Sequence, residues 1–258
     1  MTLSESSLQS KDDIWRPIVL VHGAAQGGWC WRDVRRHLQA QGFEVFTPTL
    51  TGLGERVHLR SPQVTLSTHI TDICNVIEWE ELTDVLLVGH SYGGMVITGV
   101  CDRIKERIGH VVYLDATLPA DGESAFPDLT REDMEARFGS FIDGYLVPIG
   151  DFSMLGITED DTENWAWVHR RLTEQLYPCW AESIALAHGG SDGLDRTFVL
   201  CTDKKYMRSA ARSRLDTTKK DPSWNFIESP KPHDMMITDS KWTASLIAEC
   251  ASGPQRAW

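Results

Sequence analysis

The sequence predicts an α/β fold, a doubly wound and mostly parallel sheet with helices on both faces, from three observations. Strand-length apolar runs alternate with segments of helical periodicity along most of the chain. Two of those runs, 17–21 and 84–88, lie just ahead of glycine-bearing loops, as expected where functional groups gather at the carboxyl ends of parallel strands. One long segment, 119–195, breaks the rhythm and reads as an insertion.

Residues 1–14 are Ser-rich and aperiodic and are expected to form a flexible extension. The run 17–21 is the first strand, followed by the loop 22–28 and a helix marked by Trp31, Val34 and Leu38 that stops at Gly42. A second strand is expected over 44–48. A Gly/Thr-rich loop, 49–62, leads to a helix with Ile70, Ile73 and Ile77 on its apolar face. The strand 84–88 precedes a helix over 95–105 that carries Val96, Val100 and Ile104 at helical spacing. Further strands are expected over 110–114, 197–201 and 224–227, and a closing helix over 243–250. This divides the chain into a core of 15–118 and 196–258 and an inserted helical cap of 119–195. The cap is rich in aromatics, of which Trp165, Trp167, Trp180 and Tyr145 are candidate substrate contacts.

Composition narrows the function classes. The chain has 258 residues, 41% of them apolar, enough for a full core, and a formal net charge of −12 that disfavours nucleic acid or anionic membrane as partner. No window approaches the roughly 18 apolar residues of a membrane helix, and residues 1–16 lack a signal-peptide core. Six cysteines stand singly without a Cys-x-x-Cys pair, which favours reduced thiols in a cytoplasmic protein over disulfides or a zinc site. A small-molecule substrate is the expected partner, and a homodimer remains open.

The chemistry centres on residues 89–93, Gly-His-Ser-Tyr-Gly, placed between a strand and a helix. Side chains at Gly89 or Gly93 would collide in so sharp a turn, which lets Ser91 project its hydroxyl as a nucleophile. A serine needs a base and a group to orient that base. Among nine histidines, His233 is the best base, on a Pro-rich loop just after the last strand, whereas His90 and His22 read as packing or structural residues. Two aspartates at strand ends compete for the third position: Asp203 is favoured and Asp115 is the alternative. Backbone amides of Tyr92 and Ala24 are candidate oxyanion donors. The loop 22–28 has neither the Gly-x-Gly-x-x-Gly pattern nor a Walker lysine, and no metal-ligand spacing occurs, so neither cofactor nor metal is expected.

These residues, in the order Ser, Asp, His, resemble the α/β-hydrolase superfamily. More narrowly they resemble its branch of plant hydroxynitrile lyases, methyl-salicylate and methyl-jasmonate esterases and bacterial hydrolase relatives. The resemblance runs through residues 19–24 and 27–31, 47–56, 89–95, 112–116 and 233–236. It implies a cofactor-free α/β-hydrolase core with a cap, acting on small esters or cyanohydrins. Relatives carry the acid in a Cys-Thr-x-Asp arrangement, whereas Cys201-Thr202 is followed directly by Asp203 and then by Lys204, so the aspartate stands one residue early. Lyases of this branch also have a hydroxyl residue where Ala24 stands and a lysine where Asp234 follows His233. A serine esterase is therefore the expected function. The alternatives are a lyase-like enzyme that cleaves carbon–carbon bonds and a small-ligand receptor that reuses the pocket.

Overall fold

The structure, a computed structural model, describes residues 15–150, 152–202 and 209–252; the expected extension and Asp203 lie outside them. Eight strands occur among these residues: β1 Ile18–Val21, β2 Val45–Phe46, β3 Val85–His90, β4 Ile108–Leu114, β5 Leu146–Val147, β6 Gln175–Leu176, β7 Asp195–Cys201 and β8 Trp224–Ser229. Six of them form one parallel sheet in the order β2-β1-β3-β4-β7-β8.

Strand alternation divides the core into two layers. Val19, Val21, Val85 and Leu87 face one layer, while Ile18, Leu20, Leu86 and Val88 face the other, all of them fully buried. The first layer is closed by helices α2, Leu66–Trp79, and α3, Gly93–Arg103. The second is closed by α1, Arg32–Ala40, and by a C-terminal helix, Ser240–Ala251. Burial on both faces explains why the central strands read as unbroken apolar runs. Helix α2 starts with a capping box in which the Thr65 and Thr68 side chains each accept the other's backbone N–H.

The elements match the sequence expectations with shifted ends. The second strand shrinks to two residues, because β2 is an edge strand paired only with β1 and Pro48 has no N–H to extend the ladder. The loop 49–62 contains a 3₁₀ turn, Gly54–Leu59.

The insertion between β4 and β7 holds α4 Arg131–Phe138, α5 Thr162–His169 and α6 Tyr177–Ala181. It is not purely helical: β5 and β6 pair antiparallel, Leu146 with Leu176 and Val147 with Gln175. Two-residue strands are too short to show an alternating pattern, so the sequence held no signal for them. The helices α7 Ser209–Thr218 and α8 Met235–Thr238, then α9, the C-terminal helix, complete the chain.

Candidate active site

After β1 the chain runs to β2 on one side, and β3 lies on the other, so the strand order reverses at β1 and β3. The crevice at the carboxyl ends of such strands is where open α/β sheets gather their functional groups. Ser91, one residue past β3, adopts φ +53°, a left-handed conformation uncommon outside glycine. Its carbonyl accepts the amides of Thr117 at 2.9 Å and Gly94 at 3.1 Å, which fixes the turn. A Cβ on Gly93 would come within 2.8 Å of the Val21 carbonyl oxygen, and one on Gly89 within 2.8 Å of the Gly93 oxygen. The turn therefore packs its backbone directly onto the end of β1. A Cβ on Gly23 would likewise lie 3.0 Å from Ser91 Cβ, so the loop after β1 sits against the serine.

His233 occupies the loop between β8 and α8, and its Nδ1 stands 2.5 Å from Asp115 Oδ2. Asp115 directly follows β4, with φ +45°, and its other oxygen accepts the Cys201 amide at 3.0 Å. The amide of Asp115 donates to the Val199 carbonyl at 2.7 Å. The carboxylate is thus held from β7 and aimed at the histidine from β4. The favoured sequence candidate, Asp203, falls outside the described residues; the carboxyl group found on His233 is that of the alternative, Asp115.

Around this pair lies a buried polar layer. His22 is fully buried: its Nδ1 donates to the Gly23 carbonyl at 2.8 Å and its Nε2 accepts the Leu50 amide at 3.1 Å, a structural role as expected. Burial pushes its pKa down to about 3. His90 is also buried, with its Nε2 at 3.1 Å from the His233 carbonyl oxygen, and burial holds it neutral, far below the usual imidazole range. Gln26 Oε1 accepts the Gly23 amide at 3.2 Å, and its Nε2 donates to Asp234 Oδ2 at 2.8 Å. Gln175 Oε1 takes the Ala25 amide at 3.0 Å. The Ala24 amide between them donates to no group among the described residues, and neither does that of Tyr92, the residue that precedes α3.

The Tyr92 side chain discloses a contact that sequence reasoning missed. Its hydroxyl lies 3.0 Å from His69 Nδ1, while His69 Nε2 lies 2.9 Å from the Thr51 carbonyl oxygen. Since Nε2 faces a carbonyl acceptor, it carries the proton and Nδ1 accepts from the tyrosine. Cys179 of α6 stands 3.7 Å from the same Nε2, which joins the insertion to the serine turn. His69 looked like an ordinary helix residue because nothing local marks the partner that α3 brings.

The four aromatic candidates are distributed unevenly. Trp180 is buried against Phe126 and Phe138, with ring centroids 4.6 and 5.7 Å away. Trp167 packs edge-on against Trp29 at 5.0 Å, between the Arg32 and Arg171 guanidinium groups. Trp165 adjoins the same small cluster of Ile157, Val168 and Leu172. Tyr145 is half-buried and packs against the insertion side of the core, where its carbonyl accepts the Tyr177 amide. Trp180 and Trp167 are thus engaged with protein partners.

His90, His233 and Asp234 bring potential ligand atoms within 4.8 Å of one another. His233 Nδ1 and His90 Nε2 already face acceptors within the protein, so the cluster reads as a hydrogen-bonded network rather than a cation site. None of the six cysteines is in a disulfide among the described residues.

A serine on a left-handed strand-to-helix turn, whose neighbour His90 contacts a histidine held by a carboxylate at the end of a parallel strand, is an arrangement of the class of α/β hydrolases. The comparisons with known proteins agree: the family model described as Alpha/beta hydrolase family matches residues 18–243, and the chain belongs to that family. It is 41% identical over 241 residues to a carbendazim hydrolyzing esterase of Nocardioides sp. (strain SG-4G), covering 89% of this chain and 97% of that one. It is 27% identical over 171 residues to salicylic acid-binding protein 2 of Nicotiana tabacum, covering 66% and 64% respectively. Among solved structures it superposes on an extracellular α/β-hydrolase from a Paenibacillus species with a TM-score of 0.77, at 20% identity, over 92% of this chain and 99% of that one.

Proposed function

We propose that the chain is a hydrolase of small carboxylic esters that works through an acyl-enzyme on Ser91. The observation that carries this reading is the His233–Asp115 contact at 2.5 Å beside the Ser91 turn. In the proposed mechanism, His233 takes the Ser91 proton as the hydroxyl attacks the ester carbonyl, and Asp115 orients the imidazole and stabilises its cationic form. The amides of Ala24 and Tyr92 receive the developing oxyanion, each donor supporting about 10²- to 10³-fold in rate. His233 then returns the proton to the leaving alcohol and activates the water that releases the acid.

The insertion is read as a cap over this site, in keeping with its tie to the serine turn through Cys179. A cytoplasmic location is read from the six thiols, five of them buried and none in a disulfide among the described residues. No helix among the described residues is long and apolar enough to cross a membrane.

Hydrolysis is favoured over carbon–carbon cleavage by the place after the base. Asp234 is fully buried and hydrogen-bonded to Gln26, so no cation stands where lyases of this branch carry a lysine. A receptor with a vestigial site loses its main support, because an acid other than Asp203 occupies His233.

The test is labelling by a fluorophosphonate together with turnover of p-nitrophenyl acetate and carbendazim. Ser91→Ala is expected to abolish labelling and to cut turnover by about 10⁶-fold. Retained turnover in that variant, or labelling at another residue, overturns the reading.

A further inference from the structure

We propose that Asp234, joined to Gln26 and His90, is a positioning residue for the esterase reaction: a second, buried acid that registers His233 against the oxyanion loop and whose ionisation supports the cationic histidine in the transition state. This rests on the serine-esterase reading above.

Three segments distant in sequence meet on this one carboxyl group. Asp234 Oδ2 accepts from Gln26 Nε2 at 2.8 Å, and Gln26 Oε1 accepts the Gly23 amide at 3.2 Å, next to the Ala24 amide. Asp234 Oδ1 lies 3.6 Å from His90 Nε2, the nitrogen that also faces the His233 carbonyl oxygen at 3.1 Å. His90 directly precedes Ser91, and Asp234 directly follows His233. The Asp234 amide donates to the Leu155 carbonyl of the insertion at 2.9 Å. One carboxyl group thus connects the oxyanion loop, the serine turn and the base.

The network is also left open at two of its atoms. Asp234 Oδ1 and His90 Nδ1 are buried and lack a hydrogen-bond partner. Buried polar groups are overwhelmingly satisfied, and what sets these two apart is their place, one residue from Ser91 and one from His233, where a change of charge acts on the proposed reacting groups. The groups facing Asp234 are Gln26 from the oxyanion loop, the buried Cys30 thiol, His90 from the end of β3 with His22 behind it, Asp115 from the end of β4, and its neighbour His233.

Burial is the main influence on this carboxyl group and, with Asp115 adding to it, raises its pKa to about 7, against the opposing effects of His233 and Gln26. The group is neutral below that pH and anionic above it. An anion here favours the imidazolium that forms as Ser91 is deprotonated, and it adds to the direct hydrogen bond from Asp115. Activity should therefore contain a rising step near neutrality that belongs to Asp234 and not to the base.

The experiment is kcat/KM for p-nitrophenyl acetate from pH 5.5 to 9 in the wild type and in Asp234→Asn, an isosteric mimic of the neutral acid. The expected result is near-equal activity at pH 5.5 and a deficit that grows to about 10-fold or more by pH 8.5, the size of a one-unit pKa coupling, expressed in kcat with KM little changed. A deficit of equal size at every pH marks a merely structural residue and overturns the proposal, as does no deficit at all. If Asp234→Asn does not fold, Gln26→Met serves: loss of its hydrogen bond to the carboxylate should move the step to higher pH, and an unmoved step overturns the proposal. Stoichiometric fluorophosphonate labelling of Ser91 alongside a flat wild-type to variant ratio rejects this inference alone; absence of labelling rejects the esterase reading beneath it.

Discussion

Strand β3 has a left-handed, non-glycine residue at each end, Asp84 before it with φ +51° and Ser91 after it with φ +53°, and the two ends put their buried polar groups to different use. At the amino end, Asp84 pairs with Arg16 at 3.0 Å, with the arginine side chain only 2% exposed. A Cβ on Gly109 would come within 1.9 Å of Asp84 Oδ1, so the pair fits closely against β4. Asp84 Oδ1 keeps no hydrogen-bond partner, as do Asp234 Oδ1 and His90 Nδ1 at the carboxyl end, but there the pKa values of His90 and Asp234 are displaced in opposite directions. A close-fitted ion pair secures one end of the strand. At the other end burial brings the Asp234 carboxyl group to about 7, where it can exchange a proton near neutral pH, and holds His90 neutral.

The contrast is sharpest for Asp115. Asp115→Asn should lower kcat by about 10⁴-fold with a small change in melting temperature, since an amide preserves the shape but favours the wrong histidine tautomer. Asp203→Asn, made in parallel, should leave kcat within about 2-fold; a loss as large as that of Asp115→Asn would return the acid to the position expected from sequence.

Asp84→Asn should do the opposite. Loss of the carboxylate removes a charge partner from a buried arginine and should cost up to about 3–5 kcal/mol, measured by denaturant unfolding, while kcat of the folded fraction is unchanged. Comparable losses of activity in the two variants would erase the distinction between the ends.

Acid should destabilise through the carboxyl end. His22, His69 and His90 all have pKa values lowered mainly by burial, so the unfolded chain binds more protons below about pH 6.5. Stability is full above that pH and falls as pH drops toward about 3, the value for His22. Asp234, with a raised pKa, works the other way between its unfolded value of 3.8 and about 7. Melting temperature should fall from pH 7 to 4, with His110, also lowered mainly by burial, adding to these three histidines against one raised carboxyl group, and Asp234→Asn should steepen the fall. A level melting temperature across that window contradicts the assignment.

The smallest effect belongs to Trp79, which is 85% exposed at the end of α2. Trp79→Ala should change unfolding free energy by less than about 0.5 kcal/mol and leave kcat/KM alone, which calibrates the other variants.

How far the sequence reaches depends on how local the signal is. The turn at 89–93 was legible because strand, glycines, serine and helix lie within twenty residues and the sterics are internal to them. His233 was legible from a strand end followed by prolines. The paired strands of the insertion were not, since β5 and β6 lie 27 residues apart between their last and first residues and have two residues each. Trp180 looked like a pocket residue by composition, yet Phe126 and Phe138 claim its ring, a choice made by packing.

By itself, then, the sequence determined the doubly wound core and marked the turn at Ser91, the loop of His233 and the loop after β1 as candidate site elements, because each is written in one contiguous strand, turn or loop. Tertiary structure alone brought the Asp115 carboxylate onto His233. In it, β4–β7 pairing turns the Cys201 amide onto one Asp115 oxygen and leaves the other at His233. It alone also brought Gln26, His90 and Asp234 together, since residues up to 208 positions apart meet only when β1, β3 and the loop after β8 converge at one end of the sheet.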